Sequence, residues 1–199
     1  MKMKSPRLPS RSRNFEVWVA LVIAGVLMGC STRVSVTDPL LGEARFSHLT
    51  VPFFADTSDQ CGPSALASVL VYWGSIAPPE ALRGEIYLRS IRGSLGLDLL
   101  MAAEKRGYEA TSYRGSIPKV IEEIDAGHPM IALLNTGSWI FSKGHFVVIT
   151  GYDSDRGGIY VHSGATSDQF VPFDAFLDAW KTTGYWILRI VPNGAGAAI

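Results

Sequence analysis

At 199 residues the chain is long enough for one well-packed domain and short for two. Eighteen bases balance eighteen acids, but residues 1–29 hold five of the bases and one of the acids, leaving 13 against 17. A mildly acidic remainder with no basic run gives no electrostatic footing for nucleic acid, and no such partner is expected.

Lys2, Lys4, Arg7, Arg11 and Arg13 precede an apolar run from Val17 to Met28. A basic stretch and about a dozen apolar residues fit a secretory signal. The run is short of the roughly 20 residues that span a bilayer. Its end, Leu27-Met28-Gly29-Cys30, resembles the bacterial lipobox. That resemblance implies cleavage before Cys30 and acylation of it; an uncleaved signal anchor and a plain cleaved signal compete with it. Ser31 follows, with no aspartate to suggest retention at the inner membrane, so an outer-membrane lipoprotein facing the periplasm is expected. The organisation read from this is a signal peptide over 1–29, a tether over 30–48, one domain over 49–192 and a tail over 193–199.

Only Cys30 and Cys61 are present. If Cys30 carries lipid, Cys61 is an unpaired thiol in an oxidising compartment. It stands in Gln60-Cys61-Gly62-Pro63-Ser64-Ala65-Leu66, where Pro63 opens a helix, Leu66, Val69, Leu70 and Trp73 recur at helical spacing, and Gly74 stops it. Cys61 at a helix N-terminus meets unpaired N–H groups and the positive end of the dipole, which predicts a lowered thiol pKa and a nucleophile. Gly62 keeps bulk away from the sulfur.

Helices are expected over Pro78–Ser90, Leu95–Arg106, Pro118–Asp125 and Phe173–Trp180, and strands over Tyr108–Tyr113, Met130–Asn135, Gly144–Asp153, Gly158–Gly164 and Tyr185–Val191. Early helices and late strands suggest α+β, the helices packed on a mostly antiparallel sheet. A thiol nucleophile needs an imidazole base. His48 lies in the expected tether and His128 in a turn. His145, opening one strand, and His162, ending the next, both qualify on spacing. Trp139 is equally a cleft residue or a packing one.

Together, Gln60-Cys61-Gly62-Pro63-Ser64-Ala65-Leu66 and Gly144-His145-Phe146-Val147-Val148-Ile149-Thr150-Gly151-Tyr152-Asp153 give the chain a recognisable look. Over residues 50–192 it resembles the bacteriocin-processing, or double-glycine leader, cysteine peptidases and their stand-alone relatives in the papain-like superfamily. The resemblance implies a papain-like fold, Cys61 as nucleophile and His145 rather than His162 as base. It also implies an oxyanion-hole glutamine shortly before the cysteine, where this chain has Asp56; Gln60 or backbone N–H groups would then substitute. The orienting Asp or Asn of the family is replaced by Ser163, with His162 and Asp153 as other orienters.

The expected function is hydrolysis of a peptide bond through a thioester, by a monomer that uses no cofactor and no metal. Its partners are a peptide or protein substrate and, through the lipid, a membrane. A catalytically weakened peptide-binding module and a cell-wall peptide amidase or transferase are the alternatives.

Overall fold

A computed structural model describes residues 45–56, 59–137 and 143–194. The signal segment, Cys30 and Trp139 lie outside them. Among the described residues there are seven strands and five helices. The strands are β1 (Phe46–His48), β2 (Tyr108–Arg114), β3 (Met130–Asn135), β4 (Gly144–Asp153), β5 (Gly158–Ser163), β6 (Thr166–Pro172) and β7 (Trp186–Pro192). The helices are α1 (Cys61–Tyr72), α2 (Pro79–Ile86), α3 (Gly96–Glu104), α4 (Ile117–Asp125) and α5 (Phe173–Lys181).

The strands make one antiparallel sheet in the order β2-β7-β3-β4-β5-β6. β1 pairs with Gly151–Asp153, beyond the point where β3 leaves β4 at Ile149. Alternation along the strands sends neighbouring side chains to opposite faces. Ile131, Phe146, Val148, Leu188 and Ile190 pack under α1, α2 and α3. Met130, Ala132, Val147, Ile149, Val161 and Ile187 pack against α4 and α5. The α+β architecture is thus a sheet covered on both faces, which is why β4 reads as a continuous apolar run.

Helix α1 is the centre of one layer. Gly62 through Leu70 are all buried, where the sequence suggested only a stripe. Its small residues let it sit close on the sheet, while Leu66, Val69 and Leu70, fully enclosed, each contribute about 1.5–3 kcal/mol. That far outweighs the few tenths by which valine disfavours a helix. Gly74, at φ +86°, ends it, and the Trp73 indole N–H donates to the Ile190 carbonyl at 2.8 Å.

The structure departs from expectation in three places. Phe46–His48 belong to the sheet, so the fold reaches three residues into the expected tether. Strand β6, unforeseen, covers the edge beside β5. The helix expected over Pro78–Ser90 stops at Ile86; Leu88 then bridges to Gly93 across a tight turn, with Arg92 at φ +49°.

Candidate active site

Cys61 is the first residue of α1, and its sulfur is packed into the interface between that helix and β4. The backbone N–H of Phe146 reaches it, as do those of Gly62 and of Cys61 itself. Phe146 directly follows His145, so the strand that carries the imidazole also touches the sulfur. Cys61, His145, Phe146 and Ser163 line one groove together with the 91–96 turn. The turn is tied to the start of α1 by Arg92, which meets the Asp59 carboxylate at 2.8 Å. Gly62 has no room for a side chain: a Cβ there would lie 2.8 Å from Ser94 Cβ and Oγ.

The His145 Nε2 is 3.0 Å from Ser163 Oγ. With Nε2–H donating to that hydroxyl, Nδ1 carries the lone pair that can take a thiol proton. Ser163 ends β5 and His145 lies near the start of β4; the antiparallel pairing of these strands is what brings the two residues together. A hydroxyl fixes the ring's orientation without adding charge.

The protonation state differs from the one expected at a helix N-terminus. Burial pushes the Cys61 thiol up; the Phe146 N–H pulls it down, Asp56 pushes it up again, and the Gly62 and Cys61 N–H groups pull down, for a net rise. Burial likewise holds His145 below the ordinary histidine value, against Asp56 and with the help of Lys143. For Cys61 desolvation outweighs what the N–H groups return, and for His145 it outweighs the Asp56 charge. Both shifts favour the neutral forms, thiol on Cys61 and imidazole on His145.

Asp56 stands on the same groove. Its backbone N–H donates to the Gly164 carbonyl at 2.8 Å, and its Oδ1 accepts the Gln60 N–H at 3.2 Å. It also walls a small cavity of about 20 Å³ beneath the site, shared with Cys61, Ser163 and His162. Gln60, the suggested oxyanion donor, lines a neighbouring depression with Phe54, Asp56 and Pro78 rather than the groove of Cys61 and His145. The backbone N–H groups of Gly62 and Cys61, at the start of α1, favour negative charge on the sulfur, as does that of Phe146.

His162 is buried, and both its ring nitrogens are engaged elsewhere. Nε2–H donates to the Val51 carbonyl at 2.9 Å, and Nδ1 accepts the Asp168 N–H at 3.1 Å. The Asp168 backbone is left-handed, at φ +46°, and its carboxylate accepts from the Thr150 hydroxyl at 2.8 Å and meets His48 at 2.9 Å. The three consecutive residues His162, Ser163 and Gly164 therefore hold, in turn, the segment that begins at Val51, the imidazole of His145, and Asp56. His128 bonds Glu123 at 2.8 Å, in the turn after α4. Asp153, the other suggested orienter, accepts the Arg156 N–H in the β4–β5 turn.

Comparison with known proteins agrees with this architecture. Curated proteins give no sequence match. A double-glycine motif protease from an AMS/PCAT transporter, solved with its leader peptide, is 28% identical over 74% of this chain and 95% of that one, with a TM-score of 0.60. A C39-like peptidase from Bacillus anthracis is 21% identical over 75% of this chain and 98% of that one, with a TM-score of 0.59, and shares the fold. So does the peptidase domain of Streptococcus ComA, 24% identical over 73% of this chain and 100% of that one, with a TM-score of 0.58. Residues 48–187, which include Cys61, His145 and Ser163, match the model of the Peptidase_C39 like family, and the chain belongs to that family.

Proposed function

We propose that the protein is an exported, lipid-anchored cysteine peptidase that cleaves a peptide bond through a thioester on Cys61. The observation that carries this reading is Cys61, at the N-terminus of α1, on one groove with His145, whose Nε2 is 3.0 Å from Ser163 Oγ. The sulfur attacks the scissile carbonyl as its proton passes to His145 Nδ1, and the carbonyl electron pair moves onto oxygen, beside the N–H groups that open α1. That pair returns, the C–N bond breaks, and the imidazolium gives its proton to the leaving amine. Water then adds to the thioester with its proton going to His145. The C–S bond breaks to release the carboxylic acid, and the departing sulfur takes the proton back from His145 to restore the thiol and the imidazole. A peptide occupying the groove is the substrate class, in keeping with the leader peptide bound by the AMS/PCAT protease.

Denaturing the protein during turnover of a peptide mixture should leave an acyl group on Cys61, seen as added mass on the tryptic peptide that contains it. Cys61→Ala should abolish both the adduct and cleavage. Cleavage that survives the substitution would refute the mechanism.

Anchoring rests on the segment ending Leu27-Met28-Gly29-Cys30. Two or three acyl chains would hold the domain on a membrane much more firmly than one. Cells fed a radiolabelled fatty acid should label the protein, and Cys30→Ala should remove the label and release the protein from membranes. Label that persists in Cys30→Ala would place the modification elsewhere.

A further inference from the structure

We propose that the two duties of a third catalytic carboxylate are divided in this site: Ser163 orients His145, and Asp56 supplies the negative charge that supports its imidazolium. The inference rests on the Cys61–His145 chemistry proposed above.

The placement of Asp56 makes the case. It is clamped on both sides of the catalytic pair, by the Gly164 carbonyl next to Ser163 and by the Gln60 N–H next to Cys61. It borders the open groove with His145 and the small cavity with Cys61 and Ser163. Its carboxylate favours a proton on His145 and opposes negative charge on the sulfur. During the reaction one state has both properties: sulfur bonded to carbon and therefore neutral, His145 protonated and waiting to pass its proton to the amine. The negative charge of that state lies on the oxyanion at the N–H groups of α1. Asp56 favours the state over the resting one by supporting the imidazolium more than it repels that oxyanion, which is the condition for catalysis. Among the described residues the other charged group bearing on His145 is Lys143, which opposes the imidazolium, and Ser163 adds none. Asp56 is then a supporting residue acting through His145, and the oxyanion is left to the N–H groups of α1.

The test uses the intact protein with Cys61 carboxamidomethylated, which fixes the sulfur in a neutral, carbon-bonded form. The His145 ring signal, identified by its loss in His145→Gln, is titrated by NMR. Asp56→Asn keeps an Oδ1 for the Gln60 N–H and should lower the His145 midpoint by about one pH unit. Asp56→Glu should restore most of the shift. In the unmodified enzyme Asp56→Asn should cut kcat about tenfold, with KM within twofold. If Asp56→Asn does not fold, Asp56→Gln is read in its place. An unmoved midpoint would overturn the proposal, as would an Asp56→Gln enzyme faster than the parent, since that site would have lacked an amide donor rather than used a charge. The titration needs no turnover, so an inactive protein whose midpoint still follows Asp56 would overturn the peptidase reading while leaving the charge coupling of Asp56 to His145 standing.

Discussion

Replacing His145 by glutamine is expected to slow alkylation of Cys61 by iodoacetamide at pH 7 about 100-fold and to slow peptide cleavage by about 10²–10⁴-fold, the usual worth of a general base. The form of the pH profile is the sharper result. With His145 held below the ordinary histidine value, its base form is already dominant near pH 6.5, so the rising limb of the parent lies below that point. With Cys61 raised, the sulfur stays a thiol past about pH 8.5. The parent should therefore show a plateau from roughly pH 6.5 to 8.5, in which imidazole removes the proton as the sulfur attacks, and a second rise above it as free thiolate forms. His145→Gln should keep only the second rise. Ser163→Ala leaves the base in place and frees its ring, so it should retain the plateau at a rate about tenfold lower, well short of the loss of the base itself. A parent profile with a single step, superimposable on that of His145→Gln, would mean that the imidazole takes no proton from Cys61.

The parts of this site legible in the sequence are those that local patterns encode. Pro63 and the apolar residues after it announce the helix that presents Cys61, and the run from Phe146 to Ile149 announces a strand buried on two faces. Choosing between His145 and His162 was beyond spacing. The difference lies in what each ring nitrogen meets, and Val51 and Asp168 reach His162 only once the sheet has formed. Strands β1 and β6 were missed because they carry little apolar signal. β6 is mostly exposed and β1 is three residues long, so pairing with β5 and β4 defines them rather than burial. Asp56 read only as a departure from the glutamine that the resemblance implies. Its orientation depends on the Gly164 carbonyl, far along the chain, and no local pattern reports that contact. The expected drop in the Cys61 pKa failed for a related reason: a helix end is visible in sequence, whereas the depth at which the packed chain buries it is not.

Glu123 is expected to be the most costly charged residue to remove. It lies on the buried face of α4 beside Val120 and Ile124, where a carboxylate survives only if paired. His128 Nδ1 at 2.8 Å, Arg189 Nε at 3.0 Å and Lys119 Nζ at 3.2 Å surround it, tying α4 to the turn before β3 and to β7. Glu123→Leu would strand the largely buried Arg189 with only the Glu109 carboxylate at 3.2 Å. Breaking such a pair from one side costs about 3–5 kcal/mol, about a fifth or more of the stability of an ordinary domain, and should appear as a large fall in the urea midpoint at pH 7. The pH dependence follows from the same contacts. Burial pushes the Glu123 carboxyl up, but the His128 bond, the Arg189 charge and the Lys119 and Arg189 bonds pull it down further, so the net value lies below that of a free glutamate. A carboxyl lowered on folding stabilises the fold at pH values above the unfolded value of about 4.3, and that contribution is lost as pH falls through the folded value. The stability gap between the parent and Glu123→Gln should therefore be constant from pH 7 to about 5 and close below about 4. A gap of the same size at pH 3 and pH 7 would show that the carboxylate's charge contributes nothing, and that Glu123 acts through its shape and hydrogen bonds alone.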